Sequence, residues 1–424
     1  MRERHIPTSG RRAGNRWRGS SLALACALAL GGQAASAQPM PAAPAGAPPS
    51  SVPIAIQQVR WQMLNPGINA LTFRTMDQFF DTREVTRRGA VWQIPRRDTS
   101  LDFRYEFGGV AYAPEDFLER TYTNALLVIK DGVIVYENYR NMSNDRTRFM
   151  AWSMTKSVVS TMVGIAVDEG RIALIEDPIV KYLPELKDGA YNGVTIRQVL
   201  EMRSGVDYEE RYDFQNPGIA ASNHMAALVR NTARFADAAR TIQRAHPPGT
   251  HFAYKTIDTA VLGWLVERVS GTTFSAYMSE KLWEPLGAES SGYFVMDGGP
   301  GVGREFTGAG YNATARDFAR IGLLFLNEGR ANGRQIVSSR WVKAATTSAT
   351  RDGGPNGGYG FQWWTFPDTG AYYALGLQGQ FTYVDPATRT VVVKLSYMPP
   401  GGPPQPYDET RAFLRAASAW KPSR

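Results

Sequence analysis

Ser153 and Lys156, in the stretch "AWSMTKS" (151–157), are the side chains in this sequence best suited to covalent chemistry. Residues three apart share one face of a helix, so a lysine amine at this spacing can reach a serine hydroxyl. An apolar environment disfavours the charged form of a lysine, which can then accept the proton of an attacking serine. The spacing alone is a weak signal, because Ser418 and Lys421 repeat it near the C-terminus.

The sequence predicts a buried helix that begins at Ser153 and runs to about Glu169, with Gly170 as its C-cap. Apolar residues cover this helix broadly beyond its first turn, which is typical of a core helix. The unpaired N–H groups at its N-terminus would stabilise a developing oxyanion near Ser153. Lysine is scarce in the chain, with nine residues, which favours a specific role for Lys156. The alternative is that Ser153 only caps the helix and that Lys156 extends to the surface.

Tyr254, in "FAYKT" (252–256), is a second candidate for proton transfer. It follows the turn-forming sequence at 247–249 and precedes a predicted helix, so we expect it on a loop. A tyrosine beside a lysine can relay protons to a leaving group. The alternative is an ordinary, half-buried tyrosine of the core.

The stretch "GLQGQ" (376–380) lies between two predicted strands. Glycine in such a position indicates a bulge or a close approach of the backbone to a ligand. Gly379 and Gln380 are therefore candidates for an oxyanion or substrate contact, with the Gln380 N–H as a donor beside that of Ser153. A simple hairpin bend is the alternative.

The order of predicted elements indicates an α/β (α+β) fold. Two β-rich runs surround Asp131-Gly132 and predict a hairpin over 125–139. Helical periodicity dominates roughly 176–345, including a helix predicted over 223–243. The C-terminal third returns to strands and ends in a helix. We therefore expect an antiparallel sheet built from the N- and C-terminal segments, flanked by helices, with a mostly helical lobe inserted between them.

The N-terminal region predicts export. Residues 1–37 combine a basic stretch, a short apolar run and small residues, which is typical of a signal peptide cleaved near Ala37. The apolar run is too short for a stable membrane span, so none is expected after cleavage. Residues 38–52 are rich in Pro and Ala and predict an extended linker. Residues 53–424 show no second linker and predict one catalytic domain, in the periplasm or secreted.

Composition excludes several function classes. The net charge is +8, but residues 1–37 carry +5 of it, which leaves about +3 for the rest and gives no reason to expect a nucleic-acid partner. The single cysteine, Cys26, lies before the predicted cleavage site, so the mature chain would have no disulfide. The four histidines form no recognisable metal-binding pattern, which argues against a zinc hydrolase.

The ordered motifs "SMTK", "YKT" and "GLQGQ" resemble those of the serine β-lactamase and penicillin-recognising superfamily. The similarity is greatest to the branch with carboxylesterases and 6-aminohexanoate-dimer (nylon oligomer) hydrolases. Flanking blocks also resemble that branch, among them "DPIVKYLPEL" (177–186), "LWEPLGAESSGY" (282–293) and "TYVDPATRTVVV" (382–393). The resemblance extends over nearly all of the chain after residue 53.

The resemblance implies a β-lactamase-like fold and an exported serine hydrolase that cleaves an amide or ester of a small molecule, without a cofactor. It implies that Ser153 is the nucleophile, Lys156 its base and Tyr254 the third catalytic group. The amides of Ser153 and Gln380 would form the oxyanion hole. Tyr212, in "YEERY" (208–212), falls where this branch has a substrate-contacting tyrosine. The sequence does not indicate the oligomeric state.

Two departures from the superfamily bear on the substrate. Penicillin-binding members usually have a Lys or His in the third motif, where this chain has Leu377-Gln378-Gly379. A buried carboxylate without a cationic partner is costly, so efficient β-lactam turnover is not expected. Thr256 also replaces the usual Asn of the second motif. A β-lactamase or D-Ala-D-Ala peptidase, and a non-catalytic binding relative, stay as alternative functions.

Overall fold

The computed structural model describes residues 39–299, 301–349, 358–366, 368–399 and 405–422. The predicted signal peptide lies outside the described residues. In chain order the helices are α1 (Ile54–Gln62), α2 (Asn69–Thr72), α3 (Pro114–Arg120), α4 (Thr155–Asp168), α5 (Ile196–Leu200), α6 (Ile219–His224), α7 (Thr256–Ser270), α8 (Phe274–Met278), α9 (Glu284–Leu286), α10 (Ala315–Leu326), α11 (Ser339–Thr346) and α12 (Gln405–Ala419). The strands are β1 (Thr82–Val85), β2 (Tyr105–Phe107), β3 (Val110–Tyr112), β4 (Thr123–Lys130), β5 (Val133–Tyr139), β6 (Phe149–Met150), β7 (Gly292–Val295), β8 (Tyr311–Ala313), β9 (Arg330–Ala331), β10 (Arg334–Gln335), β11 (Trp364–Thr365), β12 (Tyr372–Gly376), β13 (Gln380–Asp385) and β14 (Thr390–Ser396).

A six-stranded antiparallel sheet joins strands from the first third of the chain with strands from its C-terminal part, in the order β11-β12-β13-β14-β4-β5. Strand β4 comes early in the sequence and β14 late. They pair from Lys130 with Thr390 to Ala125 with Leu395, and the register shifts at Ser396. This confirms the predicted sheet built from N- and C-terminal segments. The predicted hairpin is also confirmed, because Asp131 and Gly132 both adopt positive φ angles in the two-residue turn between β4 and β5.

Every residue of β4 and β14 is buried, because helices cover both faces of the sheet. Alternate side chains of a strand point to opposite faces, so each strand contributes to two cores. One face packs against α3 and α12, where the rings of Phe117 and Phe413 stack at 3.9 Å. The other face packs against α4 and α10 as part of the larger core.

A second antiparallel sheet, in the order β1-β7-β8-β6, fixes the segment that precedes Ser153. Strand β6 pairs with β8, and the next residue, Ala151, donates its N–H to the Tyr311 carbonyl at 2.8 Å. The chain then makes a 3-10 turn over Trp152–Met154 and enters α4. Helix α4 also packs along α7, so three separate segments meet around the start of α4.

The helix predicted over 223–243 is wrong as a continuous element. Helix α6 ends at His224, a π-helical turn covers Met225–Val229, and a separate 3-10 segment follows at Phe235–Arg240. Asn231 has a φ of 53° between them, which a helix does not permit. The apolar periodicity continues across the break, because both segments bury side chains in the same core.

Residues 39–52 contain neither a helix nor a strand. They contact the rest of the protein, since the Ser50 hydroxyl donates to the Arg230 carbonyl at 2.6 Å. Among the described residues, no helix has both the length and the apolar character needed to cross a bilayer.

Candidate active site

Ser153 lies in the 3-10 turn that leads into α4, rather than in the helix itself. The preceding residue, Trp152, has a φ of 47°, which is unusual for a residue with a bulky side chain. Trp152 is buried, with 5% of its surface exposed, and its indole packs edge-on against Phe73, with ring centroids 5.2 Å apart. Packing of the indole therefore stabilises the sharp turn that presents Ser153.

Lys156 is buried, with 1% of its surface exposed, and its amine contacts Ser153. Its Nζ lies 3.0 Å from Ser153 Oγ, 2.8 Å from the Gly308 carbonyl oxygen and 3.2 Å from Thr256 Oγ1. Lys156 therefore does not extend to the surface, and the amine is fixed by neighbours from three separate segments. Gly308 is required at this point, because a Cβ there would lie 2.5 Å from the Thr256 methyl group.

Tyr254 lies on the loop before α7, as its sequence context predicts. The Lys156 Nζ is 5.0 Å from the centroid of its ring. The ring also stacks on Trp364 of β11, at 5.6 Å between centroids and 23° between planes. The structure thus brings Tyr254 together with Ser153 and Lys156. Ser153 and Tyr254 are 101 residues apart in the sequence.

Glu210, which was not among the residues predicted from the sequence, accepts two hydrogen bonds from Thr256. Its Oε2 accepts the Thr256 N–H at 2.7 Å, and its Oε1 accepts the Thr256 hydroxyl at 2.6 Å. The same Oε1 accepts the hydroxyl of Tyr212 at 2.6 Å. One carboxylate therefore connects the predicted substrate-contacting tyrosine with a hydrogen-bond partner of Lys156.

An aromatic cluster packs around Tyr212. Its ring lies 5.8 Å from that of His224 and 6.3 Å from that of Phe214, which in turn contacts Trp61 of α1 edge-on at 4.7 Å. His224 is buried, and burial lowers the pKa of its imidazole from 6.5 to about 4. The cluster positions the loop that carries Glu210 and Tyr212.

The burial of His224 predicts a loss of stability in mild acid. Unfolded His224 takes up a proton below about pH 6.5, whereas folded His224 remains neutral until about pH 4. Protonation therefore favours the unfolded chain as the pH falls through this window, at a cost of about 3 kcal/mol at most. Chemical denaturation of the wild type and of His224→Phe at pH 7 and pH 4.5 measures the effect. The variant should lose less stability than the wild type, and an equal loss in both would contradict the prediction.

The "GLQGQ" stretch forms the turn between β12 and β13. Gly376 pairs with Gln380 across the hairpin, and Gly379 has a φ of 91°. Gln380 is buried, and its side-chain amide donates to the Ser396 carbonyl at 2.8 Å. Gly376 touches the segment that carries Ser153, since a Cβ there would lie 2.2 Å from the Ala151 carbonyl oxygen. This contact brings the backbone of the turn beside the candidate nucleophile.

The arrangement of these groups is suited to nucleophilic catalysis by a serine. A serine hydroxyl lies within hydrogen-bonding distance of a buried amine, and a tyrosine ring and a backbone turn lie beside them. No group of His, Cys, Asp or Glu suited to a metal ion occurs within the described ranges.

Comparison with known proteins assigns the family. The beta-lactamase family model matches residues 115–417. The 6-aminohexanoate-dimer hydrolase of Paenarthrobacter ureafaciens is 35% identical over 300 residues, which cover 67% of this chain and 75% of that protein. The resemblance inferred from the motifs is therefore confirmed.

Solved structures agree on the fold. A candidate 6-aminohexanoate-dimer hydrolase from Bacillus anthracis superimposes with a TM-score of 0.74 at 25% identity, covering 84% of this chain and 95% of its own. A penicillin-binding protein from Bacillus halodurans has a TM-score of 0.57 at 18% identity, over 71% of this chain and 99% of its own, which supports the fold alone. The chain belongs to the beta-lactamase family, as a hydrolase of the serine type that is similar to 6-aminohexanoate-dimer hydrolase.

Proposed function

We propose that this protein is an exported amidase or esterase that hydrolyses small molecules through an acyl-enzyme on Ser153. The observation that carries the proposal is the 3.0 Å contact between Ser153 Oγ and the buried Lys156 Nζ. A lysine in this environment serves best as an unprotonated base, because burial disfavours its charged form. The membership of the beta-lactamase family supports the same reaction class.

In the first step, Ser153 Oγ attacks the substrate carbonyl while its proton passes to Lys156 Nζ. The resulting oxyanion would lie between the Ser153 N–H and an N–H of the Gly376–Gln380 turn. The predicted donor is Gln380.

In the second step, the leaving amine or alcohol departs with a proton that Tyr254 relays from Lys156. The closeness of the Tyr254 ring to Lys156 Nζ supports this role. Water then attacks the acyl group, with the same residues accepting and returning a proton. None of these steps requires a cofactor.

Tyr212 is the proposed substrate contact. Its hydroxyl donates to Glu210 at 2.6 Å, and Glu210 also accepts the hydroxyl of Thr256, so the ring is held next to the neighbours of Lys156. The 35% identity to 6-aminohexanoate-dimer hydrolase supports a linear amide as the first substrate to test.

The proposal also includes the location of the protein outside the cytoplasm. The basic, apolar and small-residue order of residues 1–37 supports export to the periplasm or the medium. Mass spectrometry of protein from a periplasmic or culture fraction would find a mature N-terminus near Gln38, and full-length chain confined to the cytoplasm would contradict export.

A hydrolysis panel tests the function. The purified protein is incubated with short-chain p-nitrophenyl esters, 6-aminohexanoate dimer and nitrocefin, and the Ser153 peptide is examined by mass spectrometry for a trapped acyl group. We expect turnover of an ester or the linear amide, and acylation at Ser153. Nitrocefin turnover faster than both would favour a β-lactamase, and no turnover or acylation at all would favour a non-catalytic binding relative.

A further inference from the structure

Glu210 determines which way the hydrogen bonds run around Lys156. A carboxylate can only accept hydrogen bonds. The hydroxyl of Thr256 lies 2.6 Å from Glu210 Oε1, so its hydrogen is directed to Glu210. Only the lone pairs of Thr256 Oγ1 are then available to Lys156, whose Nζ lies 3.2 Å away on the other side.

Gly308 is a second neighbour of the amine that bears on this direction. The carbonyl oxygen of Gly308 also can only accept, and it lies 2.8 Å from Lys156 Nζ. An unprotonated lysine has two N–H bonds and one lone pair. If the N–H bonds are directed to Gly308 and Thr256, the lone pair faces Ser153 Oγ, 3.0 Å away. This is the orientation in which the amine can accept the serine proton.

We propose that Glu210 is a positioning residue that orients the lone pair of Lys156 toward Ser153 through the hydroxyl of Thr256. The inference rests on the proposed function, because it takes Ser153 as the nucleophile and Lys156 as its base. In the step that it assists, the Ser153 O–H bond breaks, its proton forms a bond to Lys156 Nζ, and Oγ bonds to the substrate carbonyl carbon.

Glu210 has an alternative, purely structural role, because it also accepts the first N–H of α7 from Thr256. A carboxylate at a helix N-terminus stabilises the helix through that bond and through the helix dipole. A structural cap would affect stability, and it would not need the Thr256 hydroxyl. The two roles are therefore separable by removing the hydroxyl and keeping the backbone N–H.

The test is a double-mutant cycle on the rate at which a fluorophosphonate probe labels Ser153. Glu210→Gln and Thr256→Val are made singly and together, since valine has the shape of threonine without its hydroxyl. Each single variant should slow labelling about tenfold or more. The double variant should be no slower than Thr256→Val alone, because Glu210 acts through the hydroxyl that is already missing. Thr256→Ser, which retains the hydroxyl, should label at close to the wild-type rate.

A parallel cycle with Tyr212→Phe is the matched control, because Tyr212 donates to the same carboxylate oxygen and is given no part in orienting Lys156. Glu210→Gln should still slow labelling in the Tyr212→Phe background. Additive effects of Glu210→Gln and Thr256→Val, or a slow Thr256→Ser variant, would overturn the proposal. Absence of labelling in the wild type would instead overturn the proposed function. Thermal melting of each variant shows whether it is folded.

Discussion

Ser153→Ala is expected to lose hydrolysis of every substrate that the wild type turns over, by a factor on the order of 10⁵ in kcat. Without the Oγ no acyl-enzyme can form, and the remaining groups can only assist a slow attack by water. The measurement is steady-state hydrolysis of the best substrate, together with labelling by a fluorophosphonate probe. The variant should also take up no probe.

Ser418→Ala is a matched control, because Ser418 belongs to the second Ser-x-x-Lys pair of the chain. In the structure it lies on α12 and shares a hydrogen bond of 3.0 Å with the Tyr383 hydroxyl, in the core on the other face of the sheet. It should label and hydrolyse like the wild type. Equal labelling of Ser153→Ala and wild type would refute the assignment of the nucleophile.

Lys156→Met is expected to slow acylation of Ser153 about 10³-fold. Methionine fills the buried space without supplying a base, so the effect is chemical rather than a cavity in the core. Single-turnover kinetics with a p-nitrophenyl ester separates acylation from the later steps. Acylation by the variant should also respond more weakly to pH, because the group that must lose a proton is absent.

Lys421→Met serves as the control for the lysine, since Lys421 is exposed and completes the second pair. Its acylation rate should match that of the wild type. A Lys156→Met variant that is folded and acylates within tenfold of the wild type would exclude Lys156 as the base. In that case Tyr254 would be the next group to test.

The elements with continuous patterns could be predicted from the sequence. The apolar helix after Ser153, the hairpin at Asp131-Gly132 and the C-terminal strands all appear in the structure, because their periodicity or turn chemistry is local. The predicted helix over 223–243 failed since the left-handed residue Asn231 interrupts it without a glycine or proline to indicate a break. The apolar periodicity continues on both sides of Asn231, because both segments bury side chains in the same core.

The site could be predicted only in part, for a physical reason. Ser153 and Lys156 are related by helical spacing, which a sequence displays directly. Glu210 is one of several acidic residues in a polar loop, and its role depends on that loop meeting the start of α7. The close contact at Gly376 likewise arises from tertiary packing. The one sequence feature that indicates a role for Glu210 is its position two residues before Tyr212, the predicted substrate contact.

The pairing of β4 with β14 has a consequence for how this protein is made. The two partners at Lys130 and Thr390 are separated by more than half of the chain, so closing the central sheet carries a large entropic cost. The hairpin of β4 and β5 can form early, but it has an unpaired edge until residues 390–396 have been synthesised. Helices in the intervening chain can therefore form before the turn at Gly376 packs against the segment that carries Ser153. We expect enzymatic activity to be among the last properties to appear during refolding, after most of the helical signal has recovered.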